Sequence, residues 1–241
     1  MNNARTTLFN VFGHREFKSR QQEDAVSSVL DRIADVMVLF PTGAGKSLIY
    51  QLPALCVEGK FTVVVSPLIA LINDQVEGLR MKGVTTAEAF NSKMEKESKE
   101  RVLTDLKSDT PTTKIVFSTP EMLMTKTFKN ILTTLNGKNK LGWIVVDEVH
   151  CVSQWGYDFR KEYGKLGELR EVTGDTPWIG LTATATEKVQ HDIRTVLKFR
   201  PGYHVFKLPS SRTNIFYDVV YKCEKDVGDS VSCIFSMTIL F

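Results

Sequence analysis

The segment Pro41-Thr42-Gly43-Ala44-Gly45-Lys46-Ser47 has the composition needed to hold a phosphate. Small residues let successive backbone N–H groups turn toward anionic oxygens, a lysine supplies a movable positive charge, and a serine hydroxyl is a hard oxygen ligand suited to Mg²⁺. The loop follows the apolar run Val36 to Phe40 and leads into Leu48 to Leu55, so a strand would deliver it and the positive end of a helix would follow it. In that setting Lys46 would reach the β- and γ-phosphates of a nucleotide and Ser47 would meet the metal. Phe40 stands where the general G-x-x-x-x-G-K-S/T pattern has its first glycine. The plainer alternative is a glycine-rich turn with an incidental lysine. A second constellation argues against it: Trp143-Ile144-Val145-Val146 runs into Asp147-Glu148-Val149-His150, which sets two carboxylates at the end of an apolar strand. Asp147 would hold Mg²⁺, and Glu148 would orient and deprotonate a water attacking the γ-phosphate. His150 is either a structural histidine or a relay of nucleotide state to a neighbouring segment, and its position directly after the carboxylates favours the relay.

Both constellations need strands to deliver them. Short β-branched runs begin at Val36, Phe61, Lys114, Trp143 and Trp178, and each reads as a buried strand. Longer segments such as 68–83 and 92–109 lie between them, with apolar residues at helical spacing and Lys and Glu elsewhere. The alternation predicts an α/β fold: right-handed crossovers, a parallel sheet sandwiched by helices, and ligand sites at the carboxyl ends of the strands.

The 241 residues are 42% hydrophobic and 24% charged, an ordinary globular composition. A net charge of +3 permits phosphate-bearing partners without arguing for them. The four cysteines have no paired spacing, so no zinc site and no disulfide framework is expected. The N-terminus lacks the pattern of a secretory signal. The apolar stretch from Val231 to Phe241 is about half the roughly 20 residues a bilayer crossing needs, so no membrane association is expected.

Further residues carry a resemblance. Asp147-Glu148-Val149-His150 and Leu181-Thr182-Ala183-Thr184-Ala185-Thr186 resemble the DExH box and the Ser/Thr-Ala-Thr segment of superfamily 2 helicases. The stretch Cys151-Val152-Ser153-Gln154-Trp155-Gly156-Tyr157-Asp158-Phe159-Arg160 resembles the aromatic-rich loop of RecQ-family DNA helicases. Phe12-Gly13, Phe17-Lys18-Ser19-Arg20-Gln21, Ser66-Pro67-Leu68-Ile69-Ala70-Leu71 with Asp74-Gln75, and Thr119-Pro120-Glu121 extend the match over Leu8 to Tyr221, and Asn214-Ile215-Phe216-Tyr217-Asp218-Val219, with Pro41 to Leu48 and Phe90-Asn91-Ser92-Lys93, looks closest to the fifth RecQ branch. The resemblance implies a RecA-like P-loop lobe spanning 31–221, preceded by an adenine-recognition segment at 1–30 and followed by a divergent apolar tail at 222–241.

It implies a 3′ to 5′ DNA helicase using ATP and Mg²⁺, acting on single-stranded and duplex DNA in repair or recombination, with nuclear residence. Gln21 would read the adenine edge beside Lys18. Lys18 stands where the family usually has arginine, and a lysine cannot reproduce a planar guanidinium stack. Ser66, Pro67, Thr119, His150, Gln154, Trp155, Phe159, Arg160, Thr182 and Thr184 would contact DNA or couple it to hydrolysis. The plainer reading of Trp155, Tyr157 and Phe159 is a half-buried strand, which the adjacent acidic box argues against.

Val149, Tyr157 and Lys161 depart from the usual Ala, His and Pro, which puts coupling rather than ATP binding in doubt; bulk at position 149 raises the question of overpacking. No second set of motifs follows, so the chain by itself is expected to lack the arginines of a second lobe and to be deficient in hydrolysis and unwinding. The alternative function is a non-catalytic ATP- and DNA-binding isoform that regulates or competes with full-length partners. An RNA helicase of the same superfamily is a third reading, disfavoured by the aromatic loop. The tail is expected to be an aggregation-prone β segment or an added strand.

Overall fold

A computed structural model describes residues 1–154 and 160–209, together with the backbone of two strands at 215–220 and 234–239. The predicted strands form as β1 (Val36–Leu39), β2 (Phe61–Val65), β4 (Ile115–Ser118), β5 (Leu141–Val146) and β6 (Trp178–Thr182), joined by two that the apolar pattern does not mark, β3 (Ala87–Phe90) and β7 (His204–Lys207). All pair in parallel in the order β3-β4-β2-β5-β6-β1-β7. The two additions are the edge strands of this sheet, where among the described residues one side faces no partner strand and unbroken apolarity is not required. In β3, Glu88 is shared between Arg80 and Arg101.

Helices α1 (Asn2–Asn10), α2 (Arg20–Asp31), α3 (Leu48–Cys56), α4 (Ile69–Arg80), α5 (Lys96–Lys107), α6 (Pro120–Leu123), α7 (Lys126–Gly137), α8 (Arg170–Thr173) and α9 (Glu187–Val196) supply the connections. Alternation along the strands sends side chains to two cores. Val36, Val38, Val64, Phe117, Trp143, Val145 and Leu181 pack with Ala4, Leu8, Val26, Ile49 and Ile72 of α1 to α4. Met37, Leu39, Val63, Val116, Ile144 and Val146 pack on the other face with Val102, Leu132, Tyr163 and Ile193. Helices α1 and α2, which make up most of the segment 1–30, pack their apolar face into the first of these cores.

Asp35, at the mouth of β1, is fully buried. Its carboxylate accepts the backbone N–H groups of Trp178 (2.8 Å) and Arg200 (2.7 Å) and pairs with the guanidinium groups of Arg170 and Arg200. A buried carboxylate is tolerated when charge and hydrogen bonds both compensate it, and here the compensation ties β1 to β6 and to the turn before β7.

The chain divides into two compact units, Met1–Leu208 and Pro209–Phe241. In the second unit, β8 (Ile215–Val220) and β9 (Ile234–Ile239) form an antiparallel ladder from Ile215↔Ile239 to Val220↔Ile234. The apolar tail thus pairs with the segment from Ile215 that the resemblance assigns to the lobe.

Candidate nucleotide-binding site

Because every strand of the large sheet runs the same way, the segments leaving β1, β2, β4, β5 and β6 emerge at one end. The phosphate loop, Ser66-Pro67, Thr119, Asp147-Glu148 and Thr182 to Thr184 all lie on these exits. The loop turns sharply, with Gly43 and Gly45 at φ +84° and +81°, where a side chain would be strained. Ala44 N–H donates to Pro41 O at 3.1 Å and Lys46 Nζ to Phe40 O at 3.1 Å, so the lysine folds back over its own loop. Thr42 is exposed, and Ser47 is half-buried at the start of α3.

The glutamine facing this loop is Gln22, not Gln21. Ser19 caps α2 by accepting Gln22 N–H, and the buried face of the helix then runs through Gln22, Ala25, Val26 and Val29. Gln21 falls on the open face and is exposed. Gln22 Oε1 accepts Lys18 N–H at 2.8 Å and its Nε2 donates to Gly45 O at 3.0 Å. The glycine is required for conformation, and a Cβ on Gly45 would sit 2.3 Å from that nitrogen, so the Gln22 amide would have to shift to admit it. Lys18 Nζ donates to Gly43 O at 3.0 Å. The 22, 25, 26, 29 spacing is present in the sequence; the motif pattern points instead to the neighbouring residue.

Asp147 is held by its N–H on Val65 O (2.9 Å). Burial, followed by the neighbouring Glu148, pushes its carboxyl up to about 6, while Lys46 and His150 draw it back. Glu148 is a non-glycine residue in the left-handed region, φ 45° and ψ 47°, and its hydrogen bond with His150 holds its carboxyl below the usual range. His150 is pushed up to about 10 by the Cys151 sulfur first and then the Glu148 carboxylate. His150 Nδ1 lies 2.9 Å from Thr182 Oγ1 and 3.3 Å from Glu148 Oε2, so one imidazole touches both the acidic pair and the Thr-Ala-Thr segment. Thr182 Oγ1 in turn donates to Thr184 O.

The sequence model of the DEAD/DEAH box helicase family matches residues 19–193. The chain belongs to that family. Among its relatives, the ATP-dependent DNA helicase Q5 of Mus musculus is 48% identical over 91% of this chain, and the ATP-dependent DNA helicase RecQ of Haemophilus influenzae is 38% identical over 91%. The chain spans 22% of the length of the first and 34% of the second. The RecQ resemblance is thereby borne out. A DUF1998 helicase, MrfA, solved bound to DNA, superposes with a TM-score of 0.68 at 18% identity, covering 87% of this chain and 30% of its own. A hypothetical ATP-dependent RNA helicase from Sulfolobus tokodaii gives 0.62 at 21% identity, covering 85% of this chain and 57% of its own. At such identities these structures establish the fold.

In this helicase lobe the remaining motif residues separate by exposure. Gln154 and Thr184 are exposed and Pro67 and Arg160 half-buried, whereas Ser66, Thr119 and Thr182 are buried under the surface. Arg160, read as added charge for DNA, donates from Nη1 to Pro67 O at 2.7 Å and so ties two motifs together. Trp155, Tyr157 and Phe159 lie outside the described residues. Val149 is fully buried with both methyls over Gly180, where an added Cβ would meet them at 3.4 Å and Phe199 at 3.3 Å. The glycine makes room for the bulk of Val149. Tyr163 is a residue of the site that sequence reasoning missed, and Gln75, named there only as part of a motif, gains partners. Tyr163 OH donates to Asp147 O, and Gln75 accepts from Tyr50 and Gln51 of the helix that follows the phosphate loop.

Proposed function

We propose that this chain is the ATP-binding lobe of a RecQ-like 3′ to 5′ DNA helicase working in DNA repair or recombination in the nucleus. The observation that carries the reading is the meeting, at one end of a parallel sheet, of the Gly43–Ser47 loop, the Asp147–Glu148 pair and the Gln22 amide. Support comes also from the relatives named as ATP-dependent DNA helicases.

Gln22, rather than Gln21, is the residue set to recognise the adenine edge, since its amide reaches the loop from a buried helix face. Lys46, resting on Phe40 O, exchanges that carbonyl for phosphate oxygens when a nucleotide enters. Glu148 is kept ionised by His150 and is the base that orients a water for attack. His150, through Thr182, passes the state of the acidic pair to the Thr-Ala-Thr segment.

The residues present fit Mg²⁺. Asp147 is a buried carboxyl whose charged form a divalent ion would stabilise. Among the described residues no group of three or more His, Cys, Asp or Glu forms a cage, which suits an ion that keeps water and phosphate ligands. Ser47 and Asp147 would hold it, and the ion would neutralise charge on the phosphates. Pro67, Gln154, Arg160 and Thr184, with Trp155 and Phe159, form the proposed DNA-facing set, and Ser66, Thr119, His150 and Thr182 the proposed coupling residues.

For the 241-residue chain by itself, turnover is expected to be very slow, because arginines supplied across a lobe interface are worth roughly 10³- to 10⁵-fold in such enzymes. The test is ATP hydrolysis by the purified chain and by Lys46→Ala, alone, with single-stranded DNA and with RNA. Tight binding with little turnover supports the reading. Strong DNA-stimulated turnover would remove the requirement for a second lobe, and preferential stimulation by RNA would overturn the DNA assignment.

A further inference from the structure

Glu148 is the proposed base, yet its backbone lies where residues with a side chain rarely settle. Such a conformation persists only when the surroundings over-determine it. The peptide after Glu148 is fixed locally, since Glu148 O accepts Cys151 N–H at 2.9 Å. The peptide before it, joining Asp147 to Glu148, is held at both ends. Its N–H donates to Asp147 Oδ1 at 3.0 Å, and its carbonyl accepts Tyr163 OH at 3.1 Å. The first of these bonds belongs to the acidic turn itself. The second comes from 16 residues away, from a ring that is fully buried.

Tyr163 approaches from a fixed base. Its N–H donates to Arg160 O at 3.1 Å, Arg160 N–H donates to Cys151 O at 3.0 Å, and the Arg160 guanidinium donates to Pro67 O. The hydroxyl is therefore referenced to the segments leaving both β2 and β5. We propose that Tyr163 is a positioning residue for the acidic pair: its hydroxyl locks the Asp147–Glu148 peptide, so that the Asp147 carboxylate faces the metal and the Glu148 carboxylate faces the water. This rests on Asp147 being the Mg²⁺-facing residue proposed above. Without the hydroxyl the peptide keeps only the bond inside the acidic turn, and the relation of the two carboxylates loosens. The nucleotide's other contacts, Lys46, the loop amides and Gln22, do not pass through Tyr163.

The test is Tyr163→Phe, which keeps the buried ring and removes only the donor. A fluorescent ATP analogue is titrated into the wild-type chain and the variant, with Mg²⁺ and with a chelator. Partners that orient metal ligands are typically worth roughly 10- to 100-fold in metal affinity, so the Mg²⁺-dependent gain in nucleotide affinity is expected to fall about tenfold in the variant, with affinity in chelator unchanged. An equal gain in both proteins, or an equal loss in both buffers, would overturn the proposal. If the wild-type chain shows no Mg²⁺-dependent gain at all, the metal assignment of Asp147 fails and the proposal with it. Amide hydrogen exchange of the nucleotide-free proteins gives an independent reading. The Glu148 amide should exchange faster in Tyr163→Phe with Val64 and Val145 unchanged, and unchanged protection at Glu148 would refute the lock.

Discussion

Replacing Gln22 by alanine distinguishes a nucleotide site served by Gln22 from its nearest rival, a site served by Gln21. Gln22 is 1% exposed, and its amide makes bonds of 2.8 and 3.0 Å to Lys18 N–H and Gly45 O. Each such bond is worth about 1 kcal/mol net, and with both partners part-buried the combined cost is about 2–3 kcal/mol at most. If the amide keeps these bonds in both states, the cost appears as stability, a fall in melting temperature of roughly 4–12 °C for a chain of this size. If the amide trades a bond for the adenine edge, part of the cost appears as affinity, at roughly tenfold for each 1.4 kcal/mol. The assay is ATP and GTP titration alongside thermal melting for Gln22→Ala, Gln22→Glu and Gln21→Ala. Gln22→Glu keeps the acceptor for Lys18 N–H but sets a carboxylate against Gly45 O, so it should fail as Gln22→Ala does. Gln21→Ala should leave both readouts unchanged. A loss of ATP affinity in Gln21→Ala with Gln22→Ala intact would refute the reasoning.

Gly43→Ala and Gly45→Ala should each carry the left-handed penalty of about 1–2 kcal/mol, and Gly45→Ala should weaken ATP binding more, because its Cβ, 2.3 Å from Gln22 Nε2, would also displace that side-chain amide whereas position 43 meets open space; parallel titrations check this. Asp35→Ala should destabilise the lobe by about 3–5 kcal/mol in urea unfolding, since it leaves Arg170 and Arg200 without their buried counter-charge. The Asp147 carboxyl ionises near 3.8 when unfolded and at about 6 when folded, so the folded state holds the extra proton between those values and stability from this group falls as pH rises from about 4 to 6. Asp147→Asn should therefore stabilise the metal-free chain at neutral pH by about 1–3 kcal/mol while lowering Mg²⁺-dependent nucleotide affinity, measured by urea unfolding in chelator and by titration. Val149→Ala and Gly180→Ala should each destabilise by about 1–2 kcal/mol, the first by a void and the second by crowding, and the double variant should cost clearly less than the sum.

The chemistry was legible where it is local. Pro41 to Ser47 and Asp147-Glu148 each combine an apolar strand with a charged exit, and that adjacency survives in a linear string. The five interior strands were legible for a related reason, because burial on both faces demands unbroken apolar runs. The edge strands were not: Ala87–Phe90 carries Glu88 on Arg80 and Arg101, and His204–Lys207 is largely exposed. Gln22 was within reach of helical spacing, but two adjacent glutamines look alike until the helix start at Ser19 sets the phase. Asp35, Tyr163 and the Val149–Gly180 fit depend on partners 16 to 165 residues away, and no local pattern announces them.

The most direct test of an ATP-binding lobe is an equilibrium titration of ATP with Mg²⁺ into the wild-type chain and into Lys46→Ala. One site per chain is predicted, with affinity lost in the variant while its unfolding curve is unchanged. Absence of binding in the wild-type chain, or binding that does not depend on Lys46, would contradict the assignment.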